Sequence, residues 1–141
     1  MDAFKFVSSL SIFFYIFLNG CAQQNEVIGL SINGKALSAK VARTPEERVV
    51  GLMFQQHLPE NEGMLFIYPK PKKICMWTRH TPLPLSVAFL NKQGVIINIE
   101  KMMPENETLH CSKGKAVYAL EMNQGWFEKN SVIPGVKLNG I

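Results

Sequence analysis

Residues 28–41 read Ile-Gly-Leu-Ser-Ile-Asn-Gly-Lys-Ala-Leu-Ser-Ala-Lys-Val and carry the strongest local fold signal of the chain. Apolar residues recur at every second position on both sides of Asn33-Gly34, a two-residue turn that favours a β-hairpin. The apolar positions of the two arms are Ile28, Leu30 and Ile32, then Leu37, Ala39 and Val41. The stretch therefore predicts two paired strands with one buried face.

A short helix is predicted directly after this hairpin. Thr44 suits the N-cap, Pro45 suits the first helical position, and Glu47 completes a capping box. Acidic residues are also favourable at a helix N-terminus, which accounts for Glu46 and Glu47 without a functional role. The pattern extends the helix to Met53. Its predicted apolar side comprises Val49, Leu52 and Met53.

Beyond Gly63, short apolar runs separated by turn residues recur to the end of the chain. These runs are Met64–Tyr68, Ile74–Trp77, Leu85–Leu90, Val95–Ile99, Ala116–Met122 and Val136–Leu138. The pattern predicts a mainly β fold, a compact small barrel or sandwich of about seven or eight short strands with one or two short helices. Residues 27–141 should form a single β-rich domain. Met103–Lys115 is a long polar connection, and loops of that length are often functional.

Composition excludes several classes of protein. The 141 residues carry a net charge of +4, with 47% hydrophobic and 18% charged residues, which is too apolar for a disordered chain. There is no basic run with interleaved aromatic residues, so nucleic acid is not an expected partner. Nucleotide-binding and hydrolase motifs such as the P-loop and G-x-S-x-G are absent from the sequence.

The first twenty residues are predicted to be a signal peptide. Phe6–Leu18 holds ten apolar residues among thirteen and no charge, which is short for a bilayer span and typical of a signal-peptide core. Lys5 supplies a weakly positive preceding region. The sequence Leu18-Asn19-Gly20-Cys21 resembles the bacterial lipobox, in which the cysteine receives a lipid and becomes the first mature residue, although asparagine is not the commonest spacer.

The lipobox resemblance implies export and a membrane anchor. The lipid on Cys21 would hold the protein on the bilayer, and residues 21–26 would form a polar tether. Ala22 in place of an aspartate is compatible with outer-membrane sorting where two membranes are present. We therefore expect a periplasm-facing lipoprotein of the bacterial cell envelope. An ordinary secretory signal cleaved nearby is the alternative.

Cys75 and Cys111 remain as a pair once Cys21 is lipidated. In an oxidising compartment such a pair most often forms a disulfide, which here would close a 36-residue loop. We predict this bond, with Cα atoms roughly 4.4–6.8 Å apart. It would tie Met103–Lys115 to the strand at Ile74–Trp77. A pair of metal-binding or redox thiolates is the alternative.

Methionine and histidine in an exported protein also suggest copper handling. The spacing does not favour it, because the sequence has no M-x-x-M or M-x-M run, and Met64 and Met122 lie in apolar runs where core methionine is the better account. His80 and His110 are predicted loop histidines. We therefore predict neither a metal site nor a cofactor, and metal handling stays an alternative.

Glu121 is the unusual carboxylate of the chain. It lies in the apolar run Val117–Met122, where an unpaired carboxylate is energetically costly. Alternation along a strand places it on one face with Val117 and Ala119. There it would point into a concave interior, with Arg48 or Arg79 as its partner. An exposed position on an edge strand is the alternative.

Several motifs together resemble a bacterial and archaeal family called domain of unknown function 192. The resemblance covers roughly residues 28–138 and implies a small, mostly β barrel or sandwich with a short helix. The motifs that carry it are Thr44–Arg48, Gly51–Phe54, Leu58-Pro59, Gly63–Phe66, Trp77–Ser86 and Ala119–Gly125.

The family's central segment usually reads W-M-K-N-T, two variable residues, then P-L-D. Here Trp77, Thr81, Pro84 and Leu85 match, and Arg79 keeps the positive charge. The departures are Thr78 for methionine, His80 for asparagine and Ser86 for the aspartate. The loss of that carboxylate argues against a catalytic acid or a metal ligand at this position, and a family site that used it would be altered or inactive in this chain.

Two classes of function follow from these observations. The first is a non-enzymatic, lipid-anchored module that binds a small ligand or an envelope protein, with no catalytic residue. The second is an envelope enzyme that uses Glu121 as acid or base and Arg79 or Arg48 to hold an anionic group. The candidate ligand-binding residues are Arg48, Trp77, Arg79, Thr81 and Glu121.

Overall fold

The computed structural model describes residues 24–141. The predicted signal peptide, the lipidation site Cys21 and the first part of the tether lie outside the described residues. Within them, the mainly β fold is confirmed, because the structure has nine strands and two short helices, and its main sheet is curled into a half-barrel. None of the helices in the described part of the chain is long and apolar enough to cross a membrane.

Seven of the strands form the main sheet in the order β6-β5-β8-β3-β2-β1-β9, and β4 pairs separately with β7. The elements are β1 (Val27–Ile32), β2 (Lys35–Ala42), α1 (Pro45–Val50), β3 (Glu62–Lys72), β4 (Cys75–Met76), β5 (Leu85–Leu90), β6 (Ile96–Met102), β7 (His110–Cys111), β8 (Ala116–Asn123), α2 (Trp126–Lys129) and β9 (Leu138–Asn139). The sequence did not indicate β7 or α2 individually.

The predicted hairpin is present as β1 and β2, with Leu30 opposite Leu37. Asn33 and Gly34 both adopt positive φ, 49° and 73°, as a turn of this kind requires. The hairpin leads into a crossover, because β2 then pairs with β3 in parallel, with Ala42 opposite Phe66. Parallel neighbours need such a long connection, and α1 lies in it.

Helix α1 begins as predicted and ends earlier. Thr44 caps it, and Glu47 completes the capping box. The helix stops at Val50 because Gly51 turns the chain at φ 47°. The predicted apolar side is wrong, since no helical residue is buried, Val49 is 67% exposed, and Leu52 reaches the core only from the turn that follows.

Strand β8 is an interior strand of the main sheet, paired with β3 on one side and β5 on the other. Both faces of this region are covered, so its alternating side chains enter two different hydrophobic clusters. Leu120 and Met122 pack with Trp126 and Phe127 on one face. Ala119 packs with Phe66 and Phe89 on the other. This second face is the one on which Glu121 lies, by the alternation of the strand.

The approach of β3 to β8 leaves no room for a side chain at Gly63. A Cβ atom there would lie 2.3 Å from the Glu121 carbonyl oxygen and 2.4 Å from the Met122 sulfur. Gly63 therefore permits the pairing that puts Met64 directly opposite Glu121.

The predicted disulfide joins Cys75 to Cys111. The two residues face each other across the β4–β7 pair, and their Cα atoms are 4.0 Å apart. This separation is shorter than the expected range of roughly 4.4–6.8 Å, and the direct opposition of the two residues across an antiparallel pair brings their Cα atoms close. The bond holds the end of the Met103–Lys115 connection against β4.

We expect reduction of this disulfide to destabilise the domain. The bond closes a 36-residue loop, and the chain-entropy model gives roughly 3–4 kcal/mol for a loop of that length. Denaturant unfolding of residues 24–141, with and without reductant, measures the loss. The Met103–Lys115 connection should become more sensitive to protease while the β core stays folded.

A double variant, Cys75→Ser with Cys111→Ser, provides the control, because reductant should leave its stability unchanged. Two titratable thiols in the unfolded, unreduced wild-type fragment would contradict the bond.

Candidate functional site

One cavity of about 330 Å³ brings together all five candidate ligand-binding residues. Arg48 comes from α1, Trp77, Arg79 and Thr81 from the loop after β4, and Glu121 from β8. The turn after α1 and one face of β3 complete the walls. The other lining residues are Pro45, Val49, Val50, Gly51, Leu52, Met53, Phe66, Tyr68, Lys72, Cys75 and Met76.

Glu121 is the buried polar group of this cavity. Only 3% of its surface is exposed, and its strand neighbours Met64 and Val87 are 2% and 0% exposed. Within residues 24–141 the structure gives its carboxyl group no ion pair and no hydrogen bond. Burial raises the pKa of Glu121 from 4.5 to about 8. At neutral pH the side chain is therefore mostly a carboxylic acid, which can donate and accept hydrogen bonds.

The expected pairing of Glu121 with Arg48 or Arg79 is wrong. Arg48 Nη1 donates instead to the carbonyl oxygens of Arg43 and Ile67, the latter at 3.0 Å. Ile67 lies just beyond the last β3 residue that pairs with β2, at the point where the pairing of β3 with β8 also becomes irregular. Arg79 pairs with Glu107 at 3.4 Å, where both side chains are exposed. The two arginines share the cavity with Glu121 without neutralising it.

Tyr68 and Lys72 belong to the site although sequence analysis missed them. The Arg48 guanidinium lies 4.7 Å from the centre of the Tyr68 ring, and Lys72 Nζ lies 5.4 Å from it. The pKa of Tyr68 is raised above its usual value, chiefly by burial. The Arg48 cation offsets part of this increase, and Glu121 adds to it. The alternation Met64, Phe66, Tyr68 signals one face of β3, but only the β3–β8 pairing shows that Glu121 lies on it.

The loop after β4 is held in place by the long polar connection. Thr78 is buried, its hydroxyl donates to the Met103 carbonyl, and it accepts a hydrogen bond from the Asn106 backbone N–H at 3.1 Å. The threonine that replaces the family's methionine thus fastens this loop. This loop carries Trp77 and Arg79 at the mouth of the cavity. The Arg79 guanidinium lies 5.8 Å from the centre of the Trp77 ring.

Ser86, where the family usually has an aspartate, does not belong to this cavity. It alternates with Leu85 and Val87, which pack on the cavity face, and so it lies on the opposite face of β5. Its side chain is fully buried, and its hydroxyl oxygen has no hydrogen-bond partner among the described residues. The departure at this position therefore leaves the cavity lining unchanged.

Histidine and methionine do not assemble into a metal site in the described part of the chain. Residues 24–141 contain no group of three or more His, Cys, Asp or Glu side chains placed to hold a metal ion. His80 stacks on Phe54 at 5.5 Å, and His110 lies opposite Met76 in the β4–β7 pair. Met64, Met76, Met102 and Met122 are buried core residues.

Comparison with known proteins connects this chain to one uncharacterised family and to solved structures. A profile of domain of unknown function 192, described as "Uncharacterized ACR", matches residues 28–140. No curated protein matches the chain.

Two of the similar solved structures come from bacteria. One, described as a "putative transcription regulator" from Sinorhizobium meliloti 1021, has a TM-score of 0.80 and 29% identity, over 83% of this chain and 95% of its own. The other, a protein of unknown function from Novosphingobium aromaticivorans DSM 12444, has a TM-score of 0.76 and 28% identity, over 81% of this chain and 85% of its own. The matched part of this chain thus corresponds to 95% of one crystallised protein and 85% of the other, which supports independent folding of the domain.

The buried carboxyl group makes stability depend on pH. Between pH about 4.5 and about 8 the folded state keeps a proton on Glu121 that the unfolded state releases. The free energy of unfolding should therefore fall as pH rises through this window, by up to about 1.4 kcal/mol per pH unit from this group. Glu121→Gln should remove that contribution and gain stability over wild type toward pH 8, as urea unfolding across the window would measure.

The variant Glu62→Gln is the matched control, because Glu62 is exposed. The free energy of unfolding of this variant should depend on pH as that of wild type does. If the free energies of unfolding of Glu121→Gln and wild type change in parallel from pH 5 to pH 8, the Glu121 carboxyl group is not held neutral by burial.

Proposed function

The chain belongs to the family called domain of unknown function 192, and since that description names no activity, we propose from its own cavity that it is a binding module for a small organic anion. We further propose that it is exported and held on the bacterial cell envelope by a lipid on Cys21. The anion is recognised by the residues around Glu121, and the lipid determines where recognition takes place.

The observation that carries the proposal is the unpaired, buried Glu121 at an open cavity. An isolated carboxyl group inside a protein costs stability, and groups with strongly perturbed pKa values concentrate at functional sites. The fold does not need this acid, because Met64 and Val87 on either side are ordinary core residues. A ligand that accepts a hydrogen bond from the neutral acid would use a group that the folded domain leaves free.

The charges around the cavity indicate an anionic ligand. Arg48, Lys72 and Arg79 all line it, while Glu121 is mostly neutral at pH 7. Guanidinium groups suit carboxylate and phosphate oxygens. Only Nη1 of Arg48 is engaged by the described residues, which leaves its other N–H groups for a ligand. The anionic group would therefore lie toward the mouth and a hydrogen-bond acceptor toward Glu121.

The walls favour an apolar or planar body between these two ends. Phe66, Tyr68, Met76 and Trp77 line the cavity, and mostly apolar walls with a few placed polar groups are typical of small-molecule sites. A volume of about 330 Å³ is at the small end of the range of about 300–1,000 Å³ for such sites. The ligand should be correspondingly small.

An enzyme that uses Glu121 is the second candidate. A carboxyl pKa near 8 is suited to a general acid at neutral pH. Among the described residues that line the cavity, however, Glu121 is the only carboxylate, and neither a histidine nor a free cysteine accompanies it. A hydrolytic mechanism needs such a partner to activate the nucleophile, and this favours binding over catalysis.

The description of the Sinorhizobium protein as a transcription regulator is not extended to this chain. Nucleic-acid binding relies on a dense basic surface, whereas this chain has a net charge of +4 and no basic run with interleaved aromatic residues.

Small aromatic and aliphatic anions test the proposed binding activity. We expect benzoate, phenyl phosphate or hexanoate to raise the melting temperature of residues 24–141, and the neutral analogue benzyl alcohol to have little effect. Binding should weaken as pH rises through about 8, because Glu121 then becomes a carboxylate that repels the anion. Glu121→Gln should remove this pH dependence.

Two exposed lysines provide a matched pair of variants for this test. Lys72→Gln should reduce the stabilisation by anions, and Lys35→Gln, beside the hairpin turn, should not. Equal responses of these two variants would refute binding in the cavity. Release of phenol from phenyl phosphate that is lost in Glu121→Gln would instead favour the enzyme.

The proposed anchor is tested separately in cells. Because Cys21 is the proposed site of lipidation, Cys21→Ser should move the full-length protein from the membrane fraction to a soluble exported or uncleaved pool. Wild-type mature protein should carry acyl chains detectable by mass. If wild type and variant fractionate alike and neither carries lipid, the protein is not a lipoprotein.

A further inference from the structure

We propose that the surface around the cavity mouth docks on an anionic lipid bilayer. This mouth face consists of the exposed apolar residues Val49, Val50 and Trp77 and the cations Arg48, Lys72 and Arg79, all of which line the cavity. The proposal goes beyond ligand binding, since it assigns a partner and an orientation to the domain. It rests on the proposed lipid at Cys21 only where the distance between the domain and the bilayer is argued.

The apolar residues of the mouth face are too exposed to be part of the hydrophobic core. Val49 and Val50 are 67% and 56% exposed at the end of α1, and Trp77 is 41% exposed across the cavity from them. Large apolar and aromatic side chains that project together from a surface are typical of membrane-interface contacts.

The charged part of the mouth face favours an anionic surface. Three cations surround the same opening, and Lys and Arg side chains are attracted to an anionic bilayer. Glu107 pairs with Arg79 at an exposed position, and Glu46 and Glu47 lie in the first turn of α1, so these three acids offset part of the attraction. Glu121 adds little repulsion because it is mostly neutral at pH 7.

The point where the tether leaves the domain places the same face toward the membrane. Asn25 Nδ2 donates to the Val41 carbonyl at 2.9 Å, and Glu26 pairs with Arg43 at 3.1 Å. These partners lie at the end of β2 that leads directly into α1. Cys21 precedes Asn25 by four residues, which span at most about 14 Å. A lipid on Cys21 would thus keep the mouth face near the headgroups.

The opposite end of the hairpin provides an internal reference. Asn33, in the β1–β2 turn, donates to the Ser131 carbonyl at 2.9 Å, so the segment around Ser131 lies far from the tether along β1 and β2. Ile133, two residues later, is 64% exposed. It is as apolar and exposed as Val49 but lies at the wrong end of the domain for contact with the bilayer.

Tethered vesicles test this orientation directly. Residues 24–141 with an N-terminal histidine tag would be bound to vesicles that contain a small fraction of nickel-chelating lipid, which reproduces the short attachment. The other lipids are phosphatidylcholine alone or its mixture with phosphatidylglycerol, part of each brominated in the acyl chain. Bromine quenches only tryptophan that reaches the bilayer. Trp77 is exposed and Trp126 is buried, so quenching reports Trp77.

We expect quenching on vesicles that contain phosphatidylglycerol, weaker quenching on phosphatidylcholine alone, and loss of the signal in Trp77→Phe. Val50→Asp and Lys72→Glu should reduce quenching, whereas Ile133→Asp and Lys35→Glu should leave it at the wild-type level. Circular dichroism confirms that each variant is folded. Raising the salt concentration should weaken quenching, because exposed charges are screened.

Several outcomes would overturn the proposal. They are no quenching on either vesicle, equal quenching on both, or equal loss in Val50→Asp and Ile133→Asp. Dimers in solution that Val50→Asp dissociates, without quenching, would assign the face to a second copy of the chain instead. Glu121→Gln separates this proposal from the binding function, since it should alter the response to small anions in solution and leave the vesicle signal unchanged.

Discussion

The pairing of β8 on both edges and its burial on both faces is the constraint on which the site depends. A side chain on such a strand must either pack in one of the two clusters or face a cavity, because no solvent-exposed side remains. Glu121 therefore cannot turn outward, as a glutamate on an edge strand would. Gly63 makes the arrangement possible, since its missing side chain lets β3 lie directly against the Glu121 backbone.

The cavity separates its charges from its buried acid. Arg48 lines the same cavity as Glu121, yet its guanidinium donates to two backbone carbonyls and lies against the Tyr68 ring. Had it bonded to Glu121, the pair would be a structural salt bridge with no group left for a ligand. Instead the buried end of the cavity, at Glu121, is mostly neutral at pH 7, and its mouth carries the positive charges. This division gives the site its preference for a molecule with one anionic end.

The crossover between β2 and β3 also determines where the cavity opens. Because the parallel strands need a long connection, α1 and the following turn pass over the end of the sheet and form part of the mouth. The tether leaves the domain at that same end, beside Val41 and Arg43. Ligand site, exposed apolar residues and chain attachment are thus placed together by one topological feature.

The sequence by itself determined the features that depend on neighbouring residues. The turn at Asn33-Gly34, the cap at Thr44 and the strand bounds Leu85–Leu90 follow from local conformational preferences, and the Cys75–Cys111 bond followed from two cysteines remaining after the first is set aside. The sequence also marked Glu121 as anomalous. Only the tertiary structure decided the β2–β3 pairing, the inclusion of Tyr68 and Lys72, and the partners of Arg48. These depend on strand order and on which carbonyls a neighbouring strand leaves unpaired, and neither is encoded within a single local stretch.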